Sequence, residues 1–146
     1  MLRIIFPLFL VIAAPCWAED RLSFAPGDLV AVDGDDVRSR ATGLKLRLGG
    51  MDAPELKSGV PGYWARAMLG KLIDGRSVIC DVLREQSRYK RRIATCRLDD
   101  GTDLAAAMVE RGFAFDLPQY QPDYSAHEAR ARQNRRGLWQ GFPDSQ

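Results

Sequence analysis

The chain has 146 residues with 21 basic and 19 acidic side chains, a formal charge of +2. That balance excludes a protein that grips polyanions by net charge, so any such grip must come from clustered charge. The length suits one domain with one core, and no repeat and no Gly/Ser- or Pro-rich linker divides it.

In chain order, residues 1–18 read as a segment outside the fold. Arg3 gives a positive start, residues 4–14 form an apolar run broken by Pro7, and Cys16-Trp17-Ala18 offers small residues where a leader peptidase reads. Polar Glu19 and Asp20 follow. This order predicts a signal peptide over residues 1–18 and a single mature domain over 19–146, periplasmic or secreted after cleavage near Ala18. The apolar run is about half the roughly 20 residues a spanning helix needs, so no stable membrane anchor is expected. Lipid attachment at Cys16 is the weaker alternative, because Pro15 stands where Gly or Ala usually precedes the modified cysteine. Cleavage removes Arg3 and no acid, which takes the formal charge from +2 to +1. It also removes Cys16 and leaves Cys80 and Cys96. An even pair in an exported chain suggests a disulfide across a hairpin. Two buried free thiols are the other reading. Metal ligation by this pair is not expected, since the single histidine, His127, lies in another segment.

In the mature chain, residues 29–32 alternate toward the turn Asp33-Gly34, and 37–41 form a second strand. Thr42-Gly43 reads as a two-residue hairpin turn into 44–49, where Leu44, Leu46 and Leu48 share one face. Residues 50–61 read as a loop. A helix is predicted over 63–73, with Trp64, Met68 and Leu72 stacked, Leu69 and Ile73 beside them, and Gly75 as its stop. Strands 78–82 and 93–98 follow, joined by a charged loop over 83–92. Thr102 or Asp103 can cap a helix running to residue 111, with Leu104, Met108 and Val109 as its stripe. Pro122-Asp123 opens a last helix over 124–136, on which Glu128 and Arg132 are spaced to pair. Trp139 is expected under its end, and both Trp64 and Trp139 are assigned to the core. The fold class this order predicts is α+β or mainly β: a five-stranded Greek-key barrel of the oligonucleotide/oligosaccharide-binding (OB) type with three helices.

The chemistry concentrates in Asp33-Gly34-Asp35-Asp36, Arg47 and Met51-Asp52-Ala53-Pro54-Glu55. A two-residue turn at Thr42-Gly43 puts Asp35 opposite Gly50 and brings Asp35 and Asp52 to one open end of the hairpin. Two carboxylates that close repel each other unless a cation lies between them. Their oxygen donors suit Ca²⁺, with Mg²⁺ as the second choice, and not zinc. Glu55 is placed to reach an activated water. Arg47 and Arg91 supply forked donors that match a phosphate under attack. Each residue alone has a structural explanation, as a turn former or a capped loop. Together, in this order, they are the parts that phosphodiester hydrolysis requires. Basic residues cluster at Arg84, Arg88, Lys90, Arg91 and Arg92, and again at Arg130, Arg132, Arg135 and Arg136, the second set reading as a solvated helix face. Tyr89 and Tyr120 are candidates to stack on a base or sugar, and Lys90 to touch a phosphate. His127 is read as a surface or packing residue.

The segments VDGDDV, LKLRLGGMDAPE, RYKRRIA and AHEARARQNRRGLW resemble the thermonuclease, or staphylococcal nuclease-like, family over residues 29–139. The most specific element, Arg-x4-Asp-x-Pro-Glu, is met by Arg47 to Glu55. The resemblance implies the OB-type barrel and a metal site of Asp35, Asp52 and the backbone carbonyl of Ala53, holding Ca²⁺. It implies Glu55 as general base or water-orienting group, and Arg47 and Arg91 as the phosphate-binding pair. It also implies sugar-nonspecific cleavage of DNA and RNA to 3′-phosphate products. Two positions depart from the family pattern. Asp36 stands where the family carries threonine, an exchange that would raise metal affinity, shift metal preference or repel the phosphate. Ser87-Arg88-Tyr89-Lys90-Arg91 replaces Asp-x-Tyr-Gly-Arg, which removes a loop tie and puts Lys90 where glycine permits positive φ. Arg92 is the alternative to Arg91 there.

The leading expectation is therefore a monomeric, exported, Ca²⁺-dependent endonuclease acting on DNA and RNA. A non-catalytic OB-type module that binds nucleic acid or protein is the alternative, and hydrolysis of small phosphodiesters is a third.

Overall fold

A computed structural model describes residues 20–86, 91–120 and 122–141 of the chain. The proposed leader, Ser87, Arg88, Tyr89 and Lys90 lie outside these residues. Six strands form one sheet: β1 (Arg21–Phe24), β2 (Leu29–Ala31), β3 (Asp36–Ser39), β4 (Lys45–Leu48), β6 (Val78–Gln86) and β7 (Arg91–Leu98). They lie in the order β1-β6-β7-β4-β3-β2. Strand β4 runs parallel to β7, and the other neighbours are antiparallel. Two short strands, β5 (Met51–Asp52) and β8 (Phe115–Asp116), pair separately. Among the described residues three α-helices accompany the sheet: α1 (Val60–Ile73), α2 (Leu104–Glu110) and α3 (Ser125–Gln133). This curled mixed sheet with three helices fits the OB type. The parallel β4–β7 contact is what a crossover through α1 and β6 permits.

The core lies between the curled sheet and the helices. Val37, Leu46, Leu48 and Met51 from the strands meet Leu69 of α1 and Leu104, Met108 and Val109 of α2, all fully buried. Cys80 and Cys96 face each other in the β6–β7 register and are joined as a disulfide, with Cα atoms 4.0 Å apart. Asp103 caps α2 by accepting from the amides of Ala105 and Ala106, which settles the choice between Thr102 and Asp103. Glu128 and Arg132 pair on α3 as their spacing predicts. No described helix is long and apolar enough to cross a membrane.

Several expectations are corrected. The β3–β4 connection is a wider loop: Ser39 donates to the Leu44 carbonyl at 2.9 Å and Gly43 to that of Ser39 at 3.0 Å. Asp36 therefore faces Arg47, and the Leu48 amide donates to the Asp35 carbonyl at 2.9 Å, so Asp35 does not face Gly50. Asp28 is the cause. Its carboxylate takes the Ser39 hydroxyl and the Ala41 amide, and the same hydroxyl takes the Thr42 amide, which holds the wider loop.

The buried face of α1 is Gly62, Ala65, Leu69 and Ile73, one residue round from the expected stripe. Trp64 is 55% exposed and is not core. Gly62 meets the Glu55 backbone and Ala65 meets Gly34, approaches too close for an indole, so this face turns inward and Trp64 turns out. Trp139 is half-buried, edge-on to Phe115 and under the Arg132 guanidinium. The expected charged loop over 83–92 is mostly hairpin, since β6 and β7 pair as far as Gln86 and Arg91, with a bulge between Val82 and Arg84.

Candidate active site

The β2–β3 turn is drawn tight by its own backbone. The amides of Val32 and Asp33 both donate to the Asp36 carbonyl, at 2.8 and 3.2 Å, and the Asp33 carboxylate takes the Gly34 amide at 2.9 Å. Gly34 is wedged against two other elements. A β-carbon there would lie 2.6 Å from the Ala65 methyl on α1 and 2.7 Å from that of Ala53. This close approach, which only glycine allows, carries the next residue, Asp35, to the chain leaving β5. The Ala53 amide donates to the Asp35 carboxylate.

Arg47 lies at the centre. Its Nη2 is 2.7 Å from Asp35 Oδ2 and 2.7 Å from Asp52 Oδ1. Asp35 is buried, while the Asp52 side chain is about half exposed at 53%. Burial pushes the Asp35 carboxyl up to about 7. Arg47 opposes this, and the charges of Asp36 and Asp52 add to it.

The fit to a cation follows from that donor set. One cationic nitrogen, Arg47 Nη2, stands between the oxygens of Asp35 and Asp52. Among the described residues no group of three or more His, Cys, Asp or Glu side chains is gathered to hold a metal. Two carboxylates and a nearby backbone carbonyl form an all-oxygen donor set, of the chemistry a hard ion takes. Asp35, Asp52 and the carbonyl of Ala53 are the residues that could hold it.

Glu55 follows Asp52 and Ala53 into a short 3₁₀ turn, Leu56–Ser58, and is exposed. Its carboxylate lies 2.6 Å from Lys57 Nζ, and the Lys57 hydrogen bond and charge hold its carboxyl below the usual range. The position of Glu55 is set from behind by α1, whose Gly62 lies directly against the Glu55 carbonyl.

Arg91 opens β7 and donates from Nη1 to Asp36 Oδ2 at 2.6 Å. A cleft of about 260 Å³ gathers Arg47, Arg91, Ile93, Arg84 and Tyr120 on its walls. Arg91 and Ile93 share this cleft, and Arg92 between them is turned to the other face by strand alternation. The structure therefore brings Arg91, not Arg92, to Arg47. The Arg84 guanidinium lies 4.7 Å over the Tyr120 ring. Tyr89 and Lys90, the other substrate-contact candidates, fall outside the described residues.

Three of these relationships had little signal in the sequence. Arg84 read only as one member of a charged loop. Lys57 carried no motif. Gly62 left one trace: glycine inside a helix costs about 1 kcal/mol, which marks a close approach when it is kept. The second basic cluster has a structural job. Arg130 and Arg136 bind the Glu110 carboxylate, which also takes His127, so α3 is tied to α2.

Comparison with known proteins finds similarity to nucleases. The family model described as staphylococcal nuclease homologue matches residues 45–141, a span that begins after Asp35 and Asp36. An uncharacterized endonuclease of Escherichia coli O157:H7 is 32% identical over 112 residues, covering 74% of this chain and 72% of the relative. One from Escherichia coli matches to the same extent. A probable staphylococcal-like nuclease of Oryza sativa subsp. japonica is 33% identical over 115 residues, covering 76% of this chain and 29% of that longer relative.

Proposed function

The chain belongs to the staphylococcal nuclease homologue family, and on that footing we propose that it is an exported, calcium-dependent endonuclease cutting DNA and RNA. The observation that carries this reading is the bridge made by Arg47 between Asp35 and Asp52, both contacts at 2.7 Å. It puts two carboxylates each within hydrogen-bond distance of one phosphate-matching guanidinium. Export rests on the sequence of residues 1–18 and on the Cys80–Cys96 disulfide, which an oxidising compartment favours.

A calcium ion held by Asp35, Asp52 and the Ala53 carbonyl would neutralise charge on the phosphate under attack. Arg47 and Arg91 bind the same phosphate through guanidinium N–H donors, and their hold strengthens as negative charge builds. Glu55, kept ionised by Lys57, takes a proton from the attacking water. The water oxygen forms its bond to phosphorus while the bond to the 5′ oxygen breaks. That oxygen leaves with a proton from solvent, which yields a 3′-phosphate and a 5′-hydroxyl. Asp52 and Glu55 are exposed, so a polymer has access from solvent.

The deciding test is a nuclease assay on the mature chain with Ca²⁺, Mg²⁺ and chelator compared on plasmid, single-stranded DNA and RNA. Cleavage that stops on chelation and is lost in Glu55→Gln and Asp35→Ala supports the assignment. Salt-sensitive binding with no turnover in a highly purified sample would identify a non-catalytic binding module instead.

A further inference from the structure

The Asp36–Arg91 pair spans three strands. Asp36 opens β3 and faces Arg47 on β4, while Arg91 opens β7 on the other side of β4. The Arg91 Nη1 to Asp36 Oδ2 contact is 2.6 Å, and the two side chains are only 20% and 21% exposed. The second oxygen of Asp36, Oδ1, is buried with no hydrogen-bond partner among the described residues.

Such a carboxylate is costly. A buried polar oxygen without a partner loses its hydration and regains nothing. Apolar side chains in place of a buried ion pair are often neutral or stabilising, and a strand position like 36 readily takes a β-branched residue. Stability therefore does not explain the aspartate. Orientation does. A guanidinium carries five N–H donors in one rigid plane, so fixing one nitrogen sets the direction of the rest. The plane being fixed is that of Arg91, which lines the same cleft as Arg47. The two departures from the family pattern also bear on this one side chain. The chain lacks an aspartate at position 87, in the segment leading to Arg91, and carries one at position 36, in contact with Arg91.

We propose that Asp36 is a positioning residue of the hydrolase, reaching across β4 to hold the Arg91 guanidinium toward the cleft it shares with Arg47. The inference rests on the phosphodiesterase reading above. Asp36 touches no reacting atom, and its direct hydrogen bond is to Arg91.

A double-mutant cycle on the mature chain tests it, with single-stranded DNA and Ca²⁺ as the assay. Asp36→Ala should lower kcat about 10- to 100-fold, the usual cost of losing an outer-shell partner. In an Arg91→Ala background the same change should cost nothing further. Asp36→Glu, which keeps a carboxylate, should recover part of the rate. Asp36→Val should melt no lower than the parent yet stay slow, which separates positioning from folding. Full activity in Asp36→Val, or losses that multiply in the double variant, would overturn the proposal while leaving the enzyme reading intact. A parent that cuts under no metal condition overturns the enzyme reading, and the proposal falls with it.

Discussion

Gly62 on α1 lies so close to the Glu55 carbonyl that a β-carbon at position 62 would stand 2.1 Å from that oxygen. The contact is with backbone, so it cannot be relieved by turning a side chain. Gly62→Ala must push the helix away or move the 55–58 turn. Overpacking of this kind costs about 1 to 3 kcal/mol of stability. A displaced Glu55 should also lower kcat about tenfold or more, since small misplacements of a reacting group are expensive. Parallel melting curves and saturating-substrate rates check both effects. An unchanged kcat in a folded variant would remove Glu55 from the reaction.

Asp35 predicts how the metal-free protein responds to pH. Its carboxyl is raised from 3.8 to about 7, mainly by burial. The folded state thus holds the proton more tightly than the unfolded chain does. That contribution is complete below the unfolded value and is lost as pH rises through about 7. In chelator, Asp35→Asn should be more stable than the parent at pH 8, on the order of 2 kcal/mol, and the difference should shrink toward pH 4. Urea unfolding at both pH values measures this. A pH-independent difference would contradict it.

Lys57 and Glu55 make a separate pH prediction. The lysine holds the Glu55 carboxyl below its ordinary range. Lys57→Met should let that carboxyl rise, so the acid limb of the kcat/KM profile moves to higher pH while the neutral plateau is kept. A profile that does not move would mean that another group sets the acid limb.

Arg84 and Tyr120 face the cleft beside Arg47 and Arg91. If the proposed function holds, their stacked pair would present a cation and an aromatic face to a substrate strand. Arg84→Ala should raise KM about threefold with little change in kcat, as expected of an exposed contact of this strength. A dinucleotide substrate, too short to reach the pair, should show no difference between the two proteins.

The Cys80–Cys96 link closes a loop of sequence separation 16. Chain-entropy arguments put its contribution at about 3 kcal/mol. The double serine variant should lose roughly that much in urea unfolding. It should still cut at low temperature, because neither cysteine lines the cleft.

Sequence patterning revealed what lies close along the chain. Asp35, Arg47 and Asp52 fall within one meander, so their meeting follows from alternation and turns alone. Their register did not, because Asp28, well outside the turn, widens the loop. Trp64 was misplaced because helical periodicity weighs size, while the first turns of α1 dock through Gly62 and Ala65 at close approaches. Strands β5 and β8 have two residues each, too short for any alternation to register. The Asp36–Arg91 contact needs β3, β4 and β7 side by side, and no local pattern announces a pairing between residues 55 apart.

The parallel alignment of β4 and β7 also orders events in time. Arg47 lies beside Ile93, and Arg91 beside Lys45, so the two arginines become neighbours only after the crossover between them is complete. Chain elongation delivers Asp35, Arg47, Asp52 and Glu55 well before Arg91 emerges. A product truncated ahead of β7 would carry both aspartates without Arg91. Cutting power would thus arrive last in assembly, and an unfinished chain in the cell that makes it would be a poor threat to that cell's own nucleic acid.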